Sequence, residues 1–326
     1  MPVRYTSPSL GGSGISSLHS GQWEAGFTYR WLHADEFFVG HDPAPTPNGL
    51  PVHINIHSVQ LNLAYSASAR LSVRLGIPLA AGSELRGQDD RQLHKQSASG
   101  LGDISLVASS WLFNPIEHGQ SNISFGVGVK APTGRSEDAG AYRLVSGQEI
   151  RSLDPSVQLG DGGWGIIAQV DAYARIARRT SAYIAGSYLA NPRAHTDATV
   201  HAPFGIVPVA VTDEYSAHAG LSYVLAPRHG FTVGLGGRID GVPVHDRFGG
   251  GDDSFRRPGY VLYVEPSVSY TLARSPLSTA GTTFTLSIPY RVDQNRMASA
   301  LDIAHGRHGG GDFAKFLIFL GYSKRL

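Results

Sequence analysis

The sequence predicts an all-β fold: an up-and-down antiparallel transmembrane β-barrel of about twelve strands, with short periplasmic turns and long extracellular loops. Three observations predict it. Segments of about ten residues set large apolar side chains against Ser, Gly, Thr or charge. Ile123, Phe125, Val127 and Val129 interleave with Ser124, Gly126, Gly128 and Lys130, and Phe231, Val233, Leu235 and Ile239 with Thr232, Gly234, Gly236 and Arg238. Repeated along a chain, that contrast describes a sheet closed on itself, with lipid outside and polar groups inside. Links between the segments alternate short and long, which sends each kind to its own rim. Composition agrees: 40 Gly, 19 Pro, 2 Met and no Cys disfavour a helical protein, and no apolar run is long enough for a transmembrane helix.

Taken in order, residues 1–20, rich in Gly and Ser, read as a flexible leader ahead of a barrel over 21–326. The start, Met1-Pro2-Val3-Arg4-Tyr5, has no apolar stretch of a secretory signal and reads as a mature chain with an added initiator Met. Strands are expected over 22–34, 53–66, 70–83, 101–113, 121–132, 163–176, 181–191, 213–226, 230–241, 259–273, 282–293 and 312–324. Short links at 66–69, 176–180 and 226–229 contrast with long ones near 35–52, 84–100, 133–162, 192–212, 242–258 and 294–311. An even strand count puts both termini on the short-turn side, the periplasmic side of a bacterial outer-membrane barrel. Outward parity collects Phe27 and Tyr29; Leu61, Leu63 and Tyr65; Leu221, Tyr223 and Leu225; and Leu286, Ile288 and Tyr290. Aromatic residues gather at strand ends in two girdles: Tyr65, Tyr223, Phe231, Tyr270, Phe284 and Tyr322 near the short turns, and Tyr29, Trp31, Tyr215, Tyr260 and Tyr290 near the long loops.

Inward parity collects charge of both signs. Glu24, Arg30, Arg74, Lys130, Asp171, Arg175, His218, Arg238, Asp240, Glu265 and Arg291 are the residues expected to line the lumen and the solute path. They form either an ion-paired seal or a narrow polar passage. Apolar stretches in the long loops, Phe37-Phe38-Val39 and 204–211, suit an entry for an apolar solute or a hairpin standing above the membrane. With 27 basic against 26 acidic residues and no basic stripe, nucleic-acid binding is not expected. Catalysis is not expected either. His218 with Ser216 and Ser222, or His245 with Asp246, supplies no complete nucleophile, base and orienting group, and no Gly-x-Ser-x-Gly elbow occurs. His53 and His57 lie about 13 Å apart on one strand face, too far to share an ion. The loop groups His305, His308 and Asp312, or Asp252 and Asp253, are usual for solvated loops, so no metal and no cofactor is expected.

Three segments carry a resemblance. Gly100-Leu101-Gly102-Asp103-Ile104 and Lys130-Ala131-Pro132-Thr133-Gly134 resemble the "GxGD" and "lPTG" signatures of the outer-membrane family labelled the MetA pathway of phenol degradation, and Gly160-Asp161-Gly162-Gly163-Trp164-Gly165 is similar to its next glycine-rich strand entry. The match is good over roughly 100–190 and elsewhere follows strand pattern only. The resemblance implies an outer-membrane barrel that transports hydrophobic or aromatic compounds, with no catalytic residues to carry over. The sequence departs at Ala131, where the family has a branched apolar residue, and at Leu326, where barrels commonly end on an aromatic. The expected partners are thus membrane lipids and a small hydrophobic solute, moving passively; a protein partner or a homo-oligomer stays open. The alternatives are a structural or partner-binding barrel with a sealed lumen and, behind it, an outer-membrane hydrolase.

Overall fold

In the computed structural model, which describes residues 19–273 and 281–326, the alternating segments pair into one closed antiparallel barrel. The elements are β1 (Trp23–Val39), β2 (Asp42–Pro43), β3 (Val52–Ser66), β4 (Leu71–Gly87), β5 (Leu93–Leu101), β6 (Ser105–Trp111), β7 (Ser121–Lys130), β8 (Ala139–Leu144), β9 (Gly147–Ser152) and β10 (Gly165–Ala177). There follow β11 (Thr180–Ala190), β12 (His195–Ala202), β13 (Gly205–Ala210), β14 (Glu214–Ala226), β15 (Phe231–Val242), β16 (Gly259–Ala273), β17 (Gly281–Ser287), β18 (Tyr290–Arg296), the short helix α1 (Ala300–Ala304) and β19 (Gly311–Arg325). Both β5 and β6 pair with β4, and both β17 and β18 with β16, so each couple makes one interrupted stave and the barrel has twelve. Pairing of β1 with β19, from Glu24↔Arg325 to Phe38↔Gly311, closes it.

The outer wall carries the apolar parity. Phe27, Leu61, Leu79, Phe125, Val127, Leu221, Leu235 and Leu320 are all exposed, a continuous greasy surface that only lipid would cover without cost. Aromatic pairs mark the short-turn end, with ring centroids 4.7 Å apart for Trp23 and Tyr65, 4.6 Å for Phe231 and Tyr270, and 5.3 Å for Phe284 and Tyr322. At the other end, Trp31 packs edge-on against Phe316 at 5.7 Å.

Differences from the sequence expectation concentrate above the long-loop girdle. Strand β1 continues to Val39 and β4 to Gly87, while β5 occupies a stretch expected as loop. Between Leu93 and Leu101 the outward positions of β5 are Lys95, Ser97 and Ser99, so the apolar–polar contrast that marks a lipid-facing strand fades there. Two further hairpins, β8–β9 and β12–β13, stand apart from the barrel sheet; the apolar stretch of 204–211 supplies β13 of the second. Phe37-Phe38-Val39 is likewise strand, with Phe38 turned inward and buried. Most of the expected leader, residues 1–18, lies outside the described residues.

Candidate functional site

Inside the barrel, the wall formed by β1, β3 and β19 is apolar toward the long loops. Leu32, Ala34 and Phe38 of β1, Val52, Ile54 and Ile56 of β3, and Phe313, Leu317 and Phe319 of β19 point inward and are buried together. They are covered by a segment from the long link between β9 and β10: Leu153, Val157 and Leu159, at 5%, 2% and 6% exposure, complete the cluster. This segment lies against β4 so closely that a Cβ on Gly82 would stand 3.4 Å from Val157. A loop inserted in the lumen thus forms a plug. Burying each of its three apolar side chains contributes roughly 1.5–3 kcal/mol.

Two polar anchors hold the plug. At one end Arg257 donates from Nη1 and Nη2 to the two carboxylate oxygens of Asp154 at 2.7 and 2.6 Å, and Arg86 Nη2 stands 3.3 Å from the same carboxylate. Burial alone would raise the Asp154 carboxyl, but the Arg257 and Arg86 guanidinium groups outweigh it and hold it well below the usual carboxylate range. Glu84 lies above the girdle on β4. Its Oε1 is 2.7 Å from Arg86 Nη2, but that guanidinium is shared with Asp154 and Asp312. Burial first, and the Asp154 charge second, push the Glu84 carboxyl up to about 8.

The second anchor joins the three motifs singled out in the sequence. Asp103 accepts from the backbone N–H of Gly134 at 2.9 Å and of Asp161 at 3.2 Å, and Lys130 lies between Asp103 and Asp161. Thr133 Oγ1 donates to the carbonyl of Gly102 at 2.7 Å and accepts from the N–H of Ile104 at 2.9 Å. Glycine is required where these backbones meet, since a Cβ on Gly160 would lie 2.5 Å from the Gly134 carbonyl oxygen. The junction spans the gap between β5 and β6, where Asp103 leaves the ladder.

The residues expected to line the lumen fall into several groups rather than one ring. His218, Arg238, Asp240 and Glu265 are buried in a polar belt. There Arg238 Nε donates to Asp240 at 2.9 Å, Ser216 donates to Asp240 at 2.8 Å, Ser287 donates to Glu265 at 2.6 Å, and His218 Nδ1 stands 3.4 Å from Glu265. Arg30 feels the charges of Asp240, Arg238 and Glu214 in the same belt. Lys130 belongs to the motif junction. Arg291 reaches Glu36 and the carbonyl of Phe313, with its guanidinium 4.7 Å over the Phe38 ring. Glu24 pairs with Arg325 at 3.8 Å, Arg74 and Asp171 are half-buried on β4 and β10, and Arg175 is exposed near the end of β10.

Ser287 and His218 each contact a separate oxygen of Glu265, so the Ser287 hydroxyl donates to a carboxylate rather than to the imidazole. Ser216 is held by Asp240, His245 contacts Asp252, and Asp246 is taken by Arg256. Sequence parity missed the plug residues Leu153, Asp154, Val157 and Leu159 and their partners Glu84, Arg86 and Arg257. The one pointer to the plug was the Gly160–Gly165 motif at its end.

At the long-loop end, a small recess opens between the plug, the β12–β13 hairpin and the link before β16. Leu153, Pro155, Val209, Ala210 and Phe255 give it an apolar wall, and Gln158, Asp161, Glu214, Arg256 and Arg257 also line it.

No family model matches the chain, and no curated protein matches it. Among solved structures, it superposes on the COG4313 outer membrane channel from Pseudomonas putida F1 with a TM-score of 0.63 and 12% identity, over 98% of this chain and 100% of that one. A FadL homologue of Pseudomonas aeruginosa gives 0.43 at 9% identity over 93% and 90%, and the CymD monoaromatic hydrocarbon channel 0.42 at 9% over 97% and 95%. The first likeness, together with the closed twelve-stave sheet, shows that this chain has the fold of an outer-membrane β-barrel.

Proposed function

We propose that this protein is a passive outer-membrane channel for small hydrophobic or aromatic compounds, with its short turns and both termini on the periplasmic side, and that it is a relative of the MetA phenol-degradation family. The observation that carries the reading is the apolar wall of the upper lumen beneath a recess that is itself partly apolar. A water-filled pore has polar walls, whereas Leu32, Ile54, Ile56, Phe313 and Leu317 offer an apolar solute a wall that it wets once the plug moves. Passage then leads to the polar belt of Arg238, Asp240, His218 and Glu265, a filter against bulky anions and cations alike. The convergence of all three family-like segments on Asp103 supports the relationship, and the superposed neighbour is itself described as a channel.

A second reading, a sealed structural barrel, draws support from the same packing, since Val157, Phe313 and Phe319 are almost wholly buried. The test compares uptake of a small aromatic solute into proteoliposomes carrying wild-type protein, the Asp154→Asn/Arg257→Gln variant, or none. A channel raises uptake above the empty vesicles and more in the variant. Equal rates in all three sink transport and leave the sealed barrel.

A further inference from the structure

On the outer wall just above the upper girdle, strands β1 and β3 bring together a group of side chains that the lumen does not use. In their register His33 faces Asn55 and Ala34 faces Ile54, so Asp35 and His53 come next on the same outward parity as Tyr29 and Trp31. Among the described residues, His33, Asp35 and His53 are the group of three whose ligand atoms all lie within 4.8 Å of one another. His33 Nε2 stands 3.5 Å from Asp35 Oδ2, close to the edge of a tetrahedron about a metal, about 3.4 Å at ordinary metal–ligand distances.

The group is oriented as well as close. His33 Nδ1 lies 2.8 Å from Asn55 Oδ1, an oxygen that can only accept, so Nδ1 carries the proton and donates it. The lone pair of the neutral ring is then on Nε2, the nitrogen that faces Asp35. A hydrogen bond to the second nitrogen is how metal-binding imidazoles are generally held. The His53 ring stacks near-parallel on His33, with centroids 6.1 Å apart and 17° between planes, and its nitrogens make no hydrogen bond among the described residues. Asp35 is exposed and both histidines are half-buried, so the site opens to solvent and water can complete the coordination.

We propose that His33, Asp35 and His53 bind one divalent transition-metal ion, with Zn²⁺ as reference, and that Asn55 positions His33. Two imidazoles and one carboxylate suit Zn²⁺, Cu²⁺ or Ni²⁺ rather than the hard ions Ca²⁺ and Mg²⁺, which prefer all-oxygen shells. His53 and His57 on one strand are too distant to share an ion; the partner of His53 comes from the neighbouring strand. The site is independent of whether the lumen conducts.

The test titrates Zn²⁺, and separately Ca²⁺, into the detergent-solubilised full chain by calorimetry, with Cu²⁺ electron paramagnetic resonance to count nitrogen ligands. The site predicts one Zn²⁺ per chain, two-nitrogen coupling, and loss of binding in His33→Ala and in His53→Ala. Asn55→Ala weakens binding by about 10–100-fold while keeping two nitrogens, and His229→Ala, in a distant short turn, changes nothing. Gel mobility with and without heating verifies that each variant keeps its barrel. Absent Zn²⁺ binding, Ca²⁺ binding as tight as Zn²⁺, or Zn²⁺ binding that survives the His33→Ala/His53→Ala double variant overturns the proposal.

Discussion

Glu84 and Asp154 are two carboxyls beside the same arginine that respond to pH in opposite directions. Asp154, lowered by Arg257 and Arg86, contributes stability that is present above the ordinary carboxylate range and is lost as pH falls through its depressed value. Glu84, raised to about 8 by burial and by Asp154, keeps its proton at neutral pH. Its contribution is full below its ordinary value of 4.5 and disappears as pH climbs through about 8. We therefore expect the melting temperature of the wild-type barrel to decline from pH 6 to pH 9, and the Glu84→Gln variant to flatten that slope; an unchanged slope in the variant removes Glu84 as its source. Asp154 itself is best probed locally. Removing one member of a buried pair costs about 3–5 kcal/mol, while the three apolar plug side chains together contribute at least as much. Asp154→Asn should thus loosen the 145–160 segment without expelling it, seen as faster hydrogen exchange there and little change in the staves.

At the scale of the elements, the staves were legible because lipid and lumen impose opposite demands on successive side chains. All twelve appear, with β1, β4 and the β5–β6 stave running past their expected bounds at the long-loop end. That signal ends above the girdle: β5 carries Lys95, Ser97 and Ser99 outward, and the β8–β9 hairpin meets water on most sides. Glycine pairs inside staves were visible as small residues, but not for what they accommodate. Gly220 and Gly236 face one another across β14 and β15, and a Cβ on either would approach the Tyr183 hydroxyl to 2.7 or 2.6 Å. The two glycines form a slot for that ring, which is 4% exposed. Gly220→Ala should destabilise the barrel by about 1–3 kcal/mol, read as a lower temperature of heat modification on gels, and Tyr183→Phe in the same background should recover part of it by removing the hydroxyl. No loss in Gly220→Ala refutes the slot.

For the whole molecule, the lumen sets an apolar wall of β1, β3 and β19 under the plug against a polar belt on β14–β16. The belt could be read from parity, since Arg238, Asp240, His218 and Glu265 sit at inward positions of regular strands. The apolar wall could not. Leu32, Ile54 and Ile56 break the polar-inside rule because a loop, rather than water, fills the space next to them, and the residues of that loop have no period to announce where they go. Arg257 and Asp154 are separated by about a hundred positions, and only the closed barrel brings them together.

The junction at Asp103 has a consequence for how such a stopper behaves in time. Because Asp161 and Gly134 are bonded to the wall itself, a displaced plug stays tethered within a loop's length of its seat. A tethered segment faces its seat at an effective concentration of the order of millimolar, whatever the protein's abundance. Resealing is therefore a first-order event with its own lifetime. If the barrel conducts as proposed, solute flux comes in brief episodes whose duration belongs to the chain.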